Sequence, residues 1–268
     1  RDLYVPAALH LSTWDGELIQ IPQWVQPAAT FYNRFHFWNA GVEDPYELSR
    51  TGDWTWEAMA EAARSITRDT TGDGEVDLWG MSVRAHETHR VVFWLKQAGG
   101  YFFDKYTNPT KATVATEEVA TALRFLYELV HERGAMPLEA AITTRGMPNF
   151  AQHNVGMIFE GPWAIGYMRT QGMPDDEWDI APLPRGPVGD PAFIHIGGLQ
   201  ISRDSQHPEA AWERVKFLTT DPRVLEIATH ITGRPAAFIP ALPNYTNDIV
   251  VDGRPQNADV LIEAMLNP

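Results

Sequence analysis

Cysteine is absent from the 268-residue chain, which excludes disulfides, thiolate zinc sites and cysteine nucleophiles. Long apolar runs are absent as well. Stretches such as "VVFWL" fall far short of the ~20 residues a membrane-spanning helix needs. The opening "RDLYVPAALHLSTWDGE" lacks the charged and apolar regions of a signal peptide, so no leader is read in this chain. Positive charge is scarce, with 21 Lys and Arg against 35 Asp and Glu for a formal net charge of -14. The acids are scattered, so the chain repels phosphate backbones and anionic membrane surfaces, which argues against a nucleic-acid partner. No G-x-S-x-G elbow, P-loop or G-x-G-x-x-G is present, leaving serine hydrolysis and nucleotide cofactors without a motif.

What is present describes a folded protein. Hydrophobic residues make up 44% of the chain and ten tryptophans are available for a core. Asp15-Gly16 between "LSTW" and "ELIQIP" is the strongest local hairpin signal, and "ATFYN" follows as a strand. Thr55 caps a helix whose Trp56, Met59, Ala63 and Ile66 share a face. "LWGMSV" reads as a strand and "RVVFWLKQAGG" as a helix closed by glycine. Thr116 caps "EEVATALRFLYELVHERG", where the predicted apolar stripe is Val119, Leu123, Leu126 and Val130 and Gly134 stands at the C-terminal end. "VGMIFE" and "WDIAPLP" are strands, "FIHIGGLQIS" a strand broken by Gly197 and Gly198, and Pro208 and Pro222 open two further helices. Alternating strands and helices predict an α/β fold with largely parallel sheets.

Three groups of residues carry chemistry. In "DTTGDGEVD", Asp69, Asp73 and Asp77 stand at positions 1, 5 and 9 of a calcium loop, with Gly74 at the sharp turn. Thr71 at position 3 and Gly80 at position 12 depart from that pattern, and the competing reading is a polar helix-to-strand turn. In "HETH" two histidines lie three residues apart, one short of zinc-protease spacing and without a third ligand. Trp24 and Trp163 follow strand-like runs, at the strand ends where α/β proteins bind ligands. An indole face packs against the C–H face of a sugar ring while polar neighbours bond its hydroxyls. A glycoside hydrolase is the enzymatic alternative, requiring two carboxylates across a scissile bond. A calcium-dependent adhesion module is a third reading, resting on the aspartate loop alone.

The flanks of these residues, taken in order, resemble the family 1 extracellular solute-binding proteins of ABC importers, a group rich in carbohydrate receptors. The carrying segments are "DGELIQIPQWVQPAATFYNRFHFWNAGV", "WTWEAMAEAARSITRDTTGDGEVDLWGMSV", "FAQHNVGMIFEGPW", "WDIAPLPRGP", "GGLQIS", "HPEAAWERVKFLT" and "GRPAA". The resemblance implies a periplasmic-binding-protein-like type II fold, two α/β lobes with an interlobe ligand cleft. It places residues 1–29 in the first lobe, 30–178 in the second, 179–237 back in the first and 238–268 back in the second. Members of the family carry further first-lobe units before this segment and further helices after it, so the chain is expected to be incomplete at both ends.

By the same resemblance, Trp163 is the sugar-stacking platform of the second lobe and Glu160 accepts hydroxyl bonds at its rim. Gln23, Trp24 and Gln26 fall on the first-lobe ligand loop, Gln26 replacing an acid that some maltose receptors carry. Glu87 and His89 fall on a second-lobe loop, where histidine in place of an aromatic exchanges stacking for hydrogen bonding. Gly197 and Gly198 would admit the ligand close to the backbone. Arg234 and His195 are further candidates, each equally readable as a polar surface residue. The implied protein is a monomeric, non-catalytic receptor outside the cytoplasmic membrane, periplasmic or lipid-anchored. It would take a carbohydrate solute and pass it to an ABC permease, with no cofactor beyond a structural calcium ion on the aspartate loop.

Overall fold

The computed structural model describes residues 2–105, 108–138, 146–189, 191 and 193–266. Asp15 and Gly16 adopt φ of 49° and 80°, the left-handed pair that a two-residue hairpin turn requires. They join β1 (Thr13–Trp14) to β2 (Glu17–Leu18). The chain then enters β3 (Ile21–Pro27), which pairs antiparallel with β8 (Ile194–Leu199) and sets Gln26 opposite His195 and Trp24 opposite Gly197. Val5, Ala8, Val25, Ala237, Leu242 and Met265 form a small core around this pair.

A larger body is built on four strands in the order β5 (Trp79–Ser82), β6 (Val155–Glu160), β4 (Ala29–Asn33), β7 (Trp178–Ala181). Successive side chains of a strand point to opposite faces, and Phe31 and Tyr32 accordingly enter different cores. On one face Tyr32, Met81, Met157 and Phe159 pack with helices Trp56–Ile66, Thr88–Gln97 and Glu117–His131. On the other, Phe31, Ile158, Trp178 and Ile180 meet helix Trp163–Thr170 and residues from the C-terminal stretch, among them Tyr245, Ile249 and Leu261. Helices on both faces make every residue of β4, β6 and β7 buried.

Three sequence expectations are corrected. The sheets are not largely parallel: of the paired strands described, only β5 and β6 run parallel. The helical crossover between β5 and β6 gives that pair its direction, while β4 arrives from the other body and inserts antiparallel to both β6 and β7. On the helix Glu117–His131 the buried residues are Val119, Ala122, Phe125, Leu126 and Leu129, and Leu123 is half exposed. Phe125 stacks on Trp56 at 4.6 Å, and that contact rotates the buried face away from Leu123. β8 runs unbroken through Gly197 and Gly198. β7 continues to Ala181 beside β4. Pro182 O and Pro184 O then accept from Trp54 Nε1 and Gln97 Nε2.

The caps behave as the sequence implies. Thr55 and Thr116 accept from Ala58 N and Val119 N, and Asp221 accepts ahead of the helix that Pro222 opens. The passage from β3 to β4 runs beside the passage into β8, where Ala28 N donates to Phe193 O at 2.8 Å. Two connecting segments therefore lie side by side at the junction of the two bodies.

Candidate functional site

A cavity of about 310 Å³ opens at that junction. The small body contributes Gln26 from β3, His195 from β8 and Arg234 from the segment after helix Pro222–Thr232. Ala28 and Phe193, the hydrogen-bonded connecting residues, line its base. The larger body contributes Arg84, His89, Arg90, Phe93, Phe159, Gly161 and Trp163. Trp163 reaches it because β6 ends at Glu160 and Gly161-Pro162 turn the chain into a helix whose first residue is the tryptophan.

The polar wall is organised by two carboxylates that do not line the cavity. Glu160 is 3% exposed; it accepts from Arg84 at 2.7 Å and pairs with Arg90 through its second oxygen. Glu87 meets Arg84 at 3.1 Å, His89 at 3.1 Å and Arg90 at 3.6 Å. Its carboxylate is thereby engaged, and it makes no capping bond at the start of helix Thr88–Gln97. Burial pushes the Glu160 carboxyl up, and the Arg90 and Arg84 guanidinium groups oppose that rise. Both guanidinium groups lie by the Trp163 ring, 5.8 Å and 6.0 Å from its centroid for Arg84 and Arg90.

The two histidines of the cavity meet edge to face at 5.0 Å. Burial lowers His195 to about 4, with His89 and Arg90 adding to the effect. Burial also lowers His89, helped by Arg90 and opposed by Glu87. Both rings are neutral near pH 7, so each offers one donor and one acceptor nitrogen. Among the described residues that line the cavity, His195 Nε2, Gln26 Oε1 and the Nε atoms of Arg84, Arg90 and Arg234 are buried without a hydrogen-bond partner. A pocket with an aromatic face, phenylalanine walls and unpaired donors and acceptors suits a small ligand with both C–H faces and hydroxyls.

The structure brings together Trp163, Gln26, His89, His195 and Arg234. Six other candidates are placed differently. Glu160 is a buried anchor behind the arginines instead of an acceptor at the rim, and Glu87 stands beside it in that role. Trp24 lies under Arg234, whose guanidinium sits 4.9 Å from the indole centroid. Gln23 turns away, its Nε2 donating to Leu218 O at 3.4 Å, as strand alternation places it on the face opposite Trp24 and Gln26. Gly197 and Gly198 make room for protein instead of ligand: a Cβ would stand 2.0 Å from the Trp24 ring at Gly197 and 2.8 Å from the Gln20 side chain at Gly198.

The carboxylates of Asp69, Asp73 and Asp77 are engaged by the loop itself. Asp69 accepts from the amides of Thr71, Gly72 and Gly74, Asp73 from Glu75 N, and Asp77 from Thr70. These loop hydrogen bonds hold the Asp69 and Asp77 carboxyls below their ordinary range. Among the described residues no cluster of three His, Asp or Glu side chains could hold an ion. The loop is an Asx-turned connection from helix Trp56–Ile66 to β5.

Sequence reading missed Arg84, Arg90, Phe93, Phe159 and Phe193. For the arginines a signal existed: each stands three residues from Glu87, the spacing at which a carboxylate can hold both.

Comparison with known proteins agrees with this architecture. The profile of the bacterial extracellular solute-binding protein family matches residues 2–222. The chain belongs to that family. Among curated relatives of this solute-binding protein, a putative binding protein of Brucella abortus is 21% identical over 217 residues, covering 80% of this chain and 50% of the relative. A maltotriose-binding protein of Pyrococcus abyssi is 26% identical over 164 residues, 59% of this chain and 33% of the relative. The solute-binding protein therefore spans half the length, or less, of these relatives.

Solved structures share the fold. An ABC substrate-binding protein from Listeria monocytogenes in complex with cycloalternan superposes with a TM-score of 0.82 at 21% identity, covering 99% of this chain and 64% of that one. The Thermus thermophilus maltotriose-binding protein bound with maltotriose gives 0.75 at 19% identity, with 99% and 64% covered. The solute-binding protein thus has the type II periplasmic-binding architecture. No helix among its described residues is long and apolar enough to cross a membrane.

Proposed function

We propose that this chain belongs to a receptor that captures a sugar or short oligosaccharide outside the cytoplasmic membrane and delivers it to an ABC permease. The observation that carries the proposal is the cavity at the junction, lined from both bodies and floored by the segments that join them. A ligand there contacts both bodies at once only when they approach, and contacts available in one state alone are what shift a two-state equilibrium. The sugar-bound structures from Listeria and Thermus and the maltotriose-binding protein of Pyrococcus support a carbohydrate as the solute class. Release to a permease requires moderate affinity, on the order of micromolar, about -8 kcal/mol.

The same geometry favours a non-catalytic role. Hydrolysis of a glycosidic bond uses two carboxyls across the bond, whereas Glu160 and Glu87 are both tied to Arg84 and Arg90 behind the cavity wall. The receptor works as a monomer, needs no cofactor, and is periplasmic or lipid-anchored. Its two lobes follow the crossings of the chain, with residues up to Pro27, β8 through Ala237, and Leu242 and Met265 in the first.

A thermal-shift screen of the full-length protein against a carbohydrate library tests this reading. One class of sugar is expected to raise the melting temperature sharply, and Trp163→Ala to weaken its binding by ~30-fold or more, as loss of a buried aromatic anchor does. A flat response across the library, or a response that Trp163→Ala leaves intact, counts against it.

A further inference from the structure

The charges around the cavity do not balance. Its lining includes Arg84, Arg90 and Arg234 but no aspartate or glutamate, in a chain whose overall charge is -14. Two of the three guanidinium groups are matched by the two carboxylates behind them, Glu160 and Glu87. The third, Arg234, has no ion pair among the described residues. Its side-chain contact is the Trp24 ring at 4.9 Å, and its Nε is buried with nothing to bond. The Trp24 ring is itself seated on Gly197, where even a methyl group would collide with it. Arg234 is thus positioned on a built aromatic support and faces the cavity.

Arg234 is half-buried; partial burial of a guanidinium without a counter-charge carries a cost that a partner arriving with the ligand offsets. His195 and His89 add hydrogen-bonding capacity beside it without adding a carboxylate. Resting on the receptor reading above, we infer that the solute is a sugar carrying one negatively charged group, a carboxylate or a phosphate, which pairs with Arg234 while its ring lies against Trp163. A planar guanidinium matches either anion through two parallel hydrogen bonds.

The test is isothermal titration of the full-length protein with glucose, galactose and mannose, each beside its uronic acid and its 6-phosphate. An acidic member is expected to bind at least about tenfold more tightly than its neutral parent, the scale of one charge-assisted contact. Preference for the uronate identifies a carboxylate ligand and preference for the 6-phosphate a phosphorylated one. Arg234→Gln should reduce that preference to about threefold or less and Arg234→Lys retain part of it. The unliganded melting temperature of Arg234→Gln should change by only about a degree or two, the scale of one lost cation–π contact, because no ion pair is lost. If neutral sugars bind as tightly as their acidic counterparts, or Arg234→Gln weakens both alike, the charge inference is overturned and the sugar receptor stands. If no sugar of either kind binds, both readings fall.

Discussion

Two six-residue strands, one from each body, differ in every position. In β6, Val155–Glu160, all six residues are buried; in β8, Ile194–Leu199, all six are partly exposed. β6 lies between β5 and β4 with helices on both faces, whereas β8 pairs only with β3 and turns one face toward the cavity. The sequences carry the difference: "VGMIFE" fills two cores, while "IHIGGL" places a histidine at the cavity and two glycines under Trp24 and Gln20. The cleft is therefore asymmetric. One wall is a packed platform that fixes Trp163 and its arginines, and the other is a lighter strand pair whose polar groups wait unpaired.

That contrast can be broken most sharply at the end of β6. Glu160→Gln leaves Arg84 and Arg90 without their buried counter-charge and is expected to cost about 3–5 kcal/mol of stability, read as a lowered urea midpoint with an unchanged slope. Glycine substitutions sharpen it next. A Cβ at Gly80 on β5 would lie 1.9 Å from the Ala63 carbonyl oxygen, a backbone atom that cannot step aside, whereas at Gly197 on β8 it meets the movable Trp24 ring. Gly80→Ala should cost about 3 kcal/mol or more and Gly197→Ala about 1 kcal/mol. Only Gly197→Ala should also perturb solute affinity, through Trp24 and Arg234. Equal losses of stability would mean that the two walls are equally rigid.

The smallest effect is a pH dependence located in the lighter wall. His195 is lowered to about 4 in the folded protein from an ordinary 6.5. As pH falls below about 6.5 the unfolded chain takes up the proton first, so stability is full above that pH and is lost between pH 6.5 and 4. His36 and His89 are lowered as well and act in the same direction. Chemical denaturation between pH 7.5 and 4.5 should therefore show a shallower decline for His195→Gln than for the unaltered protein, without becoming flat.

Much of the fold was legible where a local rule decides. Asp15-Gly16, the threonine caps at 55 and 116, and the prolines at 208 and 222 each act through their own backbone, so sequence identifies them without knowledge of the partner elements. What depended on tertiary partners was not legible. The stripe Val119, Leu123, Leu126, Val130 and the buried set that includes Ala122 and Leu129 both satisfy helical spacing, and only the stacking of Phe125 on Trp56 chooses between them. Strand direction failed for the same reason, because the orientation of β4 is set by the body it comes from. In the site, the resemblance named Trp163, Gln26 and His89, which line the cavity, and also Glu160, whose carboxylate pairs with Arg84 and Arg90 and does not line it. A lone carboxylate in sequence does not reveal whether its partner is a solute or an arginine.

The central claim is that one solute is held by both walls at once. Hydrogen exchange with the best-stabilising sugar tests it most directly, by following amides on Val25, Gln26 and His195 in the lighter body and on Gly161 and Trp163 at the end of β6. Slowed exchange on both sets, reversed together in Trp163→Ala, is the predicted result. Protection confined to one body, with the other unchanged at saturating sugar, would contradict capture between the two.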